Sequence, residues 1–396
     1  RLGHLVTGRV IAWTLVILVV VAAVVVFALG WVLSSRVIVP APYSLAPEFE
    51  LAAVLDLGGG RYAVGIPAPA GAPLQHANAR VDGAYALLWE GGSGAMAETI
   101  ADVGGVVTRA VELRAGTPPT VGAPARIDNF YYRTDPQTDL GLEFEDLELS
   151  GPAGKLRSWY VPGGQRTAVL MLHGRRRGEL IETLRFTEAL HELGLPVLAL
   201  AYRNHDASDP GLDGHYHYGA SEWQDALVGA LELARRGHER VILYGLSMGG
   251  AVALEALERW PTAAPEVVGL VLDSPLVSPQ AVVELGAVKA GLPMPALATR
   301  VALLVARSRT GVDFASLEQA PSASGIGVPL LLIAGEDDST VPISAVDAFA
   351  AAAGPLATYV RLPGVEHVEA WNHDPARYAG WLREFVSSLD VRADAR

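Results

Sequence analysis

Ser247 stands in Gly245-Leu246-Ser247-Met248-Gly249, between the strand-like RVILY and the helix-forming AVALEALERW. A serine hydroxyl is a weak nucleophile at neutral pH and needs an adjacent base. On a sharp strand-to-helix turn its Oγ projects above a sheet, and the turn closes only if its neighbours two positions away are small. Gly245 and Gly249 meet that need. In a chain with 42 Gly a bare G-x-S-x-G means little, so the flanking strand and helix patterns carry the weight. Ten His could supply the base. His367 follows the last strand-like run, ATYVRL, and a Pro363-Gly364 turn, on a loop that should overlie the strand ends. His373 competes from six residues on, but it directly precedes Asp374-Pro375, an N-cap and N1 pair that opens the last helix. His367 is therefore the better base. For a carboxylate to orient it, Glu336, Asp337 and Asp338 stand side by side, and their spacing does not choose among them.

The elements that would position these groups lie beyond Asp139. FEDLELSG and KLRSWYVP, separated by Gly151-Pro152-Ala153-Gly154, read as an antiparallel hairpin. AVLMLHG, LPVLALAYR, RVILYGLS, VVGLVLDS, VPLLLIAG and ATYVRLPG follow as short apolar runs, the pattern of strands buried on both faces. Helical stretches separate most of them. One opens on Ser221 and Gln224 as a capping box, continues through Trp223, Ala226, Leu227, Ala230, Leu231 and Ala234, and stops at Gly237. The expectation is an eight-stranded, mostly parallel sheet with helices on both faces. Residues 276–327 form an apolar, cap-like insertion before the seventh strand.

Four motifs in this order resemble the serine hydrolases of the α/β-hydrolase superfamily: LMLHGR, GLSMGG, AGEDDSTVP and LPGVEH, over residues 141–390. The AYRN segment after the fourth strand adds a resemblance to a membrane-anchored bacterial subgroup. Nucleophile, then acid, then His is the chain order that fold uses. The resemblance implies an acid three residues after the strand-ending Gly and four before the Pro of a V-P pair. Counted from Gly335 and from Pro342, both rules reach Asp338, with Asp337 the next candidate. Ala334-Gly335 departs from the more frequent His-Gly but touches no catalytic atom. The resemblance further implies a structural His173 and an oxyanion hole built from the backbone N–H groups of Met248 and Arg175. No cofactor is implied.

The N-terminal part differs in character. Val10–Leu33 is 24 residues without a charge, roughly 36 Å as a helix, enough to cross a bilayer. Trp13 and Trp31 sit near its ends. Residues 1–35 are therefore expected to be a transmembrane anchor rather than a cleaved signal, whose apolar core is usually about 7–15 residues. Arg1 and Arg9 before the run, against Arg36 after it, would hold the N-terminus inside and place the rest on the outer face of the cell membrane. Residues 36–140 open on a Pro-rich stalk and continue as a small β-rich domain; RYAVGI, GAYALLWE and GVVTRAVEL alternate with Gly and Pro clusters.

The formal net charge is −13, which argues against nucleic acid as a partner, and zero Cys excludes disulfides and thiolate chemistry. His215-Tyr216-His217 puts two His on one face, but no third ligand at metal-binding spacing completes it. Arg175, Arg176 and Arg177 read as solvated charge beside the oxyanion loop, and Tyr202-Arg203-Asn204 as either a substrate wall or loop packing. Together the residues point to an ester or related acyl bond, cleaved through an acyl-enzyme by a carboxylesterase-, lipase- or thioesterase-like enzyme acting on a small-molecule or lipid-like substrate. A serine peptidase of the same fold and a non-catalytic envelope protein that kept the fold are the alternatives. Oligomeric state leaves no trace in the sequence.

Overall fold

The computed structural model describes residues 2–40, 45–69, 78–175, 179–205 and 208–389; the side chains of 2–12, 19, 22, 23 and 25 lie outside the description. Arg176 and Arg177 of the basic triplet, and residues 41–44 of the Pro-rich segment, are also outside it.

Helix α1 runs Leu2–Ile38, so the first residues assigned to the stalk are helical and the helix ends three residues beyond the expected anchor boundary. Apart from Thr14, its described side chains from Trp13 to Val32 are apolar and mostly exposed on every side. Among the described residues no helix is long and apolar enough to cross a membrane; the run Val10–Leu33 includes seven positions whose side chains are not described. The C-terminal turns of α1 are anchored in the protein. Ile38 is fully buried, and its carbonyl accepts the Tyr216 N–H.

A seven-stranded antiparallel sheet follows, with order β1-β7-β4-β5-β6-β3-β2. Its strands are β1 (Phe49–Glu50), β2 (Ala53–Gly58), β3 (Arg61–Pro67), β4 (Ala86–Trp89), β5 (Gly92–Val103), β6 (Val106–Gly116) and β7 (Pro124–Asp128). Tyr62, Val64, Tyr85, Leu87, Met96 and Val111 form its core. Arg109 is buried within it, and its guanidinium donates to the carbonyls of Ala79, Val81 and Ala97. A short helix α2 (Pro136–Leu140), capped by Asp135 and closed by Gly141 at φ 69°, leads into the second sheet.

That second sheet has eight strands, β8 (Glu145–Gly151), β9 (Gly154–Val161), β10 (Thr167–Leu172), β11 (Val197–Leu200), β12 (Arg240–Leu246), β13 (Glu266–Asp273), β14 (Leu330–Gly335) and β15 (Ala357–Leu362). Their order is β15-β14-β13-β12-β10-β11-β9-β8. The β8–β9 hairpin is antiparallel, as is the β9–β11 pair; β10 to β15 are mutually parallel. Alternate residues of these strands feed two separate cores. Leu170, Leu172, Leu243 and Leu332 face α4 (Trp223–Arg235) and α5 (Met248–Glu258). Val169, Met171, Tyr244 and Ile333 face α3 (Glu179–Glu192) and α10 (Pro375–Ser388). Burial on both faces is why the runs lack polar alternation.

The insertion between β13 and β14 is a helical hairpin, α6 (Pro279–Lys289) and α7 (Pro295–Thr310), followed by two short 3₁₀ turns. Two further helices, α8 (Ile343–Ala353) and α9 (Ala370–His373), flank β15. The start of α4 departs from expectation. Ser221 is not its cap: Glu222 precedes the helix, and its carboxylate accepts the N–H groups of His217, Gly219 and Ser221. A carboxylate accepts such bonds more strongly than a hydroxyl, so it captures the turn and delays the helix.

Gly249 lies so close beneath β10 that a β-carbon would overlap the carbonyl oxygens of Leu172 and His173, which are rigid backbone. Gly380, in α10, has nothing near its missing β-carbon. Gly249→Ala should therefore abolish accumulation of folded protein, whereas Gly380→Ala should fold normally and gain up to about 1 kcal/mol. Circular dichroism and urea unfolding of the two variants check this.

Candidate active site

Three strand ends deliver three side chains to one point. Ser247 follows β12, Asp338 follows β14 and His367 follows β15. His367 Nε2 lies 2.8 Å from Ser247 Oγ, and His367 Nδ1 lies 2.7 Å from Asp338 Oδ2. The other Asp338 oxygen accepts the N–H groups of Thr340 and Val341 at 2.8 and 2.7 Å, which fixes the carboxylate. Asp337 is exposed, and its N–H is tied to the Val365 carbonyl. Glu336, also exposed, lies 3.6 Å from Arg361. Of the three neighbouring carboxylates, only Asp338 meets the imidazole. His373 is half-buried on α9, where burial lowers its basicity, and the imidazole that meets Ser247 is that of His367.

Ser247 holds φ 49° and ψ −114°, an uncommon conformation for a residue with a side chain. Its N–H donates to the Asp273 carbonyl, while its own carbonyl accepts from Gly250 and Leu276. Three backbone bonds thus hold the strained residue in place. Met248 is the first residue of α5, so its N–H is among the donors a helix start leaves without an internal partner. Across from it, Gly174 packs against Ser247, and its N–H is consumed by Glu182 Oε2 at 2.6 Å. The next donor on that loop is the N–H of Arg175. Its carbonyl accepts from Tyr216 Oη, and its guanidinium donates to the Arg36 carbonyl at the end of α1.

His173 supports this loop from below. Its Nδ1 donates to the Gly174 carbonyl, its ring stacks on Tyr202 at 4.3 Å, and burial followed by nearby His205 holds its pKa well below the usual histidine range. Tyr202 Oη donates to the His173 carbonyl, Arg203 makes a two-pronged pair with buried Asp225, and Asn204 bridges Gly211 and His215. The AYRN segment is loop packing. His215 and His217 share an acidic neighbour that sequence spacing did not suggest: Asp213 lies 3.6 Å from His215 and 2.9 Å from His217. Among the described residues no three such side chains are grouped to hold a metal.

The loop carrying His367 rests on partners that no local motif announces. Val368, a β-branched residue at φ 56°, is pinned by Ser274 Oγ on its N–H and by Arg185 on its carbonyl. Asn372 accepts from Arg185 and donates to the carbonyls of Ala84 and Asn129. Glu369 accepts from Tyr85 and Asn78. Ala84, Asn129, Tyr85 and Asn78 all belong to the β-rich domain or its exit, so that domain buttresses the histidine loop. Beneath the site, Asp273 accepts from Tyr378 Oη and Ser274 Oγ rather than from His367, and burial pushes its carboxyl up to about 6.

A cavity of about 250 Å³ adjoins the catalytic loops, lined by Leu276, Val282, Val283 and Ala287 of the insertion, by Leu33 and Val37 of α1, and by Arg36 and Arg175. Lys289, at the end of α6, donates to the carbonyl of Ser339, one of the lining residues. A larger cavity of about 600 Å³ lies in the β-rich domain, beside Trp89 and Arg126.

Comparison with known proteins accords with this geometry. Residues 163–321 match the family described as serine aminopeptidase, S33. Two uncharacterized proteins of Mycobacterium tuberculosis, MT2364 of strain CDC 1551 and Rv2307c of strain H37Rv, are each 34% identical over 245 residues, 60% of this chain and 76% of theirs. The chain belongs to the α/β-hydrolase family of serine hydrolases. The esterase Pf2001 of Pyrococcus furiosus shares the fold, with a TM-score of 0.51 and 23% identity over 65% of the hydrolase and 94% of the esterase.

Two predictions follow from the supports of the histidine loop. Asn372→Ala removes the 2.6 Å acceptor of buried Arg185 Nη1, which keeps the Val368 carbonyl and Glu182, and removes the side-chain donor to the Ala84 and Asn129 carbonyls. It should cost about 2–4 kcal/mol and lower the unfolding midpoint by several degrees, measured by calorimetry. Asp273 has a raised folded pKa, so between about pH 4 and 6 the unfolded chain releases this proton and the folded chain keeps it. Its contribution to stability therefore falls as pH rises through that window. Relative to wild type, Asp273→Asn should gain about 3 kcal/mol between pH 3.5 and pH 7, read from urea midpoints at both values.

Proposed function

We propose that this hydrolase cleaves a carboxylic ester with Ser247 as nucleophile, His367 as general base and then general acid, and Asp338 as the residue that orients and stabilises the imidazolium. The relay Ser247 Oγ–His367 Nε2, His367 Nδ1–Asp338 Oδ2, at 2.8 and 2.7 Å, is the observation that carries this reading. Ser247 Oγ would attack the ester carbonyl while its proton passes to His367 Nε2. The developing oxyanion would be met by the N–H groups of Met248 and Arg175, aided by the positive end of α5. Collapse expels the alcohol, which takes the proton back from His367. Water deprotonated by the same nitrogen then releases the acid. These steps use no cofactor.

The matched family's description supports a second reading, an aminopeptidase. A free amino terminus needs a carboxylate to receive it. Among the described residues, the charged ones lining the cleft are Arg36 and Arg175, which would repel an ammonium and suit an anionic or neutral acyl substrate. A lipid-like acyl ester fits the apolar remainder. We further propose that α1 is a single membrane anchor with the hydrolase on the outer face. The uncharged run Val10–Leu33 supports this, as does an apolar surface exposed all round the helix, which water would not tolerate at this extent.

Ser247→Ala should abolish labelling by a fluorophosphonate together with ester turnover. Asp338→Asn should lower kcat by about 10⁴-fold by setting the wrong imidazole tautomer, while Asp337→Asn should change it little. Hydrolysis of p-nitrophenyl butyrate beside an aminoacyl p-nitroanilide ranks the two readings, and a dominant anilide rate would reverse the order. Retention in the membrane pellet after alkaline carbonate washing checks the anchor.

A further inference from the structure

The insertion and the anchor helix pack against each other, and the direction of that packing has a consequence for how substrate arrives. Gly30 of α1 lies against Val301 and Val305 of α7, close enough that a β-carbon would stand 2.7 Å from Val301 Cγ1. One turn later, Arg309 donates to Ser34 Oγ and Ser35 Oγ and lies over the Trp31 ring at 4.2 Å. The two helices therefore run in the same direction. At about 1.5 Å per residue, the α6–α7 turn at Leu292–Met294 lies roughly 14 Å further toward the N-terminal end of α1 than Gly30 does. Gly30 itself falls inside the uncharged run.

The surface of α7 beside α1 is apolar and uncovered. Met294 and Leu304 are 68% exposed, Leu297 is 52% exposed, and Val288 at the end of α6 is 55% exposed. Spacings of three and seven put Met294, Leu297 and Leu304 along one stripe, continuous with the apolar surface of α1. Arg300 and Arg307 flank that stripe on the side away from α1, and Arg307 also pairs with Asp313 at 3.1 Å. An apolar stripe bordered by arginines, lying beside an apolar helix, is the pattern of an element set into a lipid surface with its cations among headgroup phosphates. The cavity beside the triad opens between these same elements, with Leu33 and Val37 of α1 on one wall and Val282, Val283 and Ala287 of α6 on the other. Arg36, one turn above the end of the uncharged run, meets Arg175 of the oxyanion loop through its carbonyl. The catalytic centre is thereby held just above the level at which the apolar run ends, which is where the ester groups of bilayer lipids reside.

We infer that the α6–α7 hairpin is inserted alongside α1 into the nearer leaflet of the bilayer, so that an acyl chain of a membrane lipid enters the catalytic cleft sideways between α1 and α6 without leaving the lipid phase. This rests on reading α1 as a membrane anchor and Ser247 as the nucleophile.

The chain contains no Cys, so single cysteines introduced into the full-length protein can each carry an environment-sensitive fluorophore. Val16→Cys reports on the anchor, Met294→Cys and Leu297→Cys on the hairpin, and Val103→Cys on the exposed tip of the β5–β6 hairpin. In vesicles of phosphatidylcholine and phosphatidylglycerol containing lipids brominated along the acyl chain, positions 16, 294 and 297 should be quenched and position 103 should not. Quenching at 16 without quenching at 294 and 297 overturns the inference and leaves the anchor standing. No quenching at 16 overturns both. In the same vesicles, the double variant Leu297→Glu/Leu304→Glu should lower the rate on a bilayer diacyl lipid at least tenfold relative to the rate on p-nitrophenyl butyrate. An equal loss on both substrates would show that these residues serve only the fold of the cap, and the sideways route would fall. Loss of fluorophosphonate labelling in Ser247→Ala, tested apart from vesicles, keeps the nucleophile assignment separate from either result.

Discussion

Ser247 occupies a backbone conformation that costs about 1–3 kcal/mol, and the hydrolase domain is arranged to enforce it. The strain is concentrated where a parallel strand must turn at once into a helix while its side chain points out of the sheet. Each device near the turn removes an alternative. Gly245 and Gly249 allow backbone to approach backbone, Asp273 and Leu276 bind the serine's own peptide groups, and Gly250 permits Pro275 to close over the helix start. Relaxed, the serine would lie down along the sheet and lose His367. The same compulsion recurs at Ser274 and Val368, both at positive φ and hydrogen-bonded to each other across the neighbouring strand end. Three of the non-glycine residues at positive φ, Ser247, Ser274 and Val368, thus lie along one edge of the sheet, where the loops after β12, β14 and β15 converge.

The histidine loop shows how that edge is kept rigid from outside. Besides Arg185, the β-rich domain holds it: Tyr85 and Asn78 donate to the Glu369 carboxylate, the Ala84 N–H donates to the Asn372 carbonyl, and the Asn372 amide donates to the Ala84 and Asn129 carbonyls. Burial and the charge of Glu369 hold the Tyr85 hydroxyl well above the usual tyrosine range, so it remains a donor. A loop following an edge strand such as β15 has a neighbour on one side only, and would otherwise be among the least stable parts of the molecule. The β-rich domain thus contributes to the site without entering it.

These supports explain what could and could not be read in the sequence. The strands of the second sheet were legible because burial on both faces leaves an uninterrupted apolar run, and Ser247 was legible because its strain demands glycine at fixed offsets. Residue types alone left three carboxylates open after β14. What holds Asp338 in place is the folding back of the Thr340 and Val341 N–H groups onto it, and a chain trace is needed to see that. Asn372 and Glu369 carried no signal, since these partners lie 187 to 291 residues away. The misplaced start of α4 has a different cause. Ser221 and Glu222 both suit a turn, and the stronger acceptor won.

The N-terminal helix joins the two halves of the proposed function. A tether acts by raising local concentration, and a flexible one would serve equally well whatever the orientation of the enzyme. Here the helix does not end in a free linker: Ile38 enters the hydrophobic core, Val37 accepts from Tyr218, and Arg36 accepts from the oxyanion loop. As the anchor proposed above, a helix built into the wall of the cleft would fix both the height and the tilt of the active site relative to whatever surrounds the helix. Lateral entry of an acyl chain requires that fixity, because a cleft free to rotate would present its apolar mouth to water for most of the time. The stripe of exposed leucines on α7 makes sense under the same condition, since in water it would be a liability for aggregation.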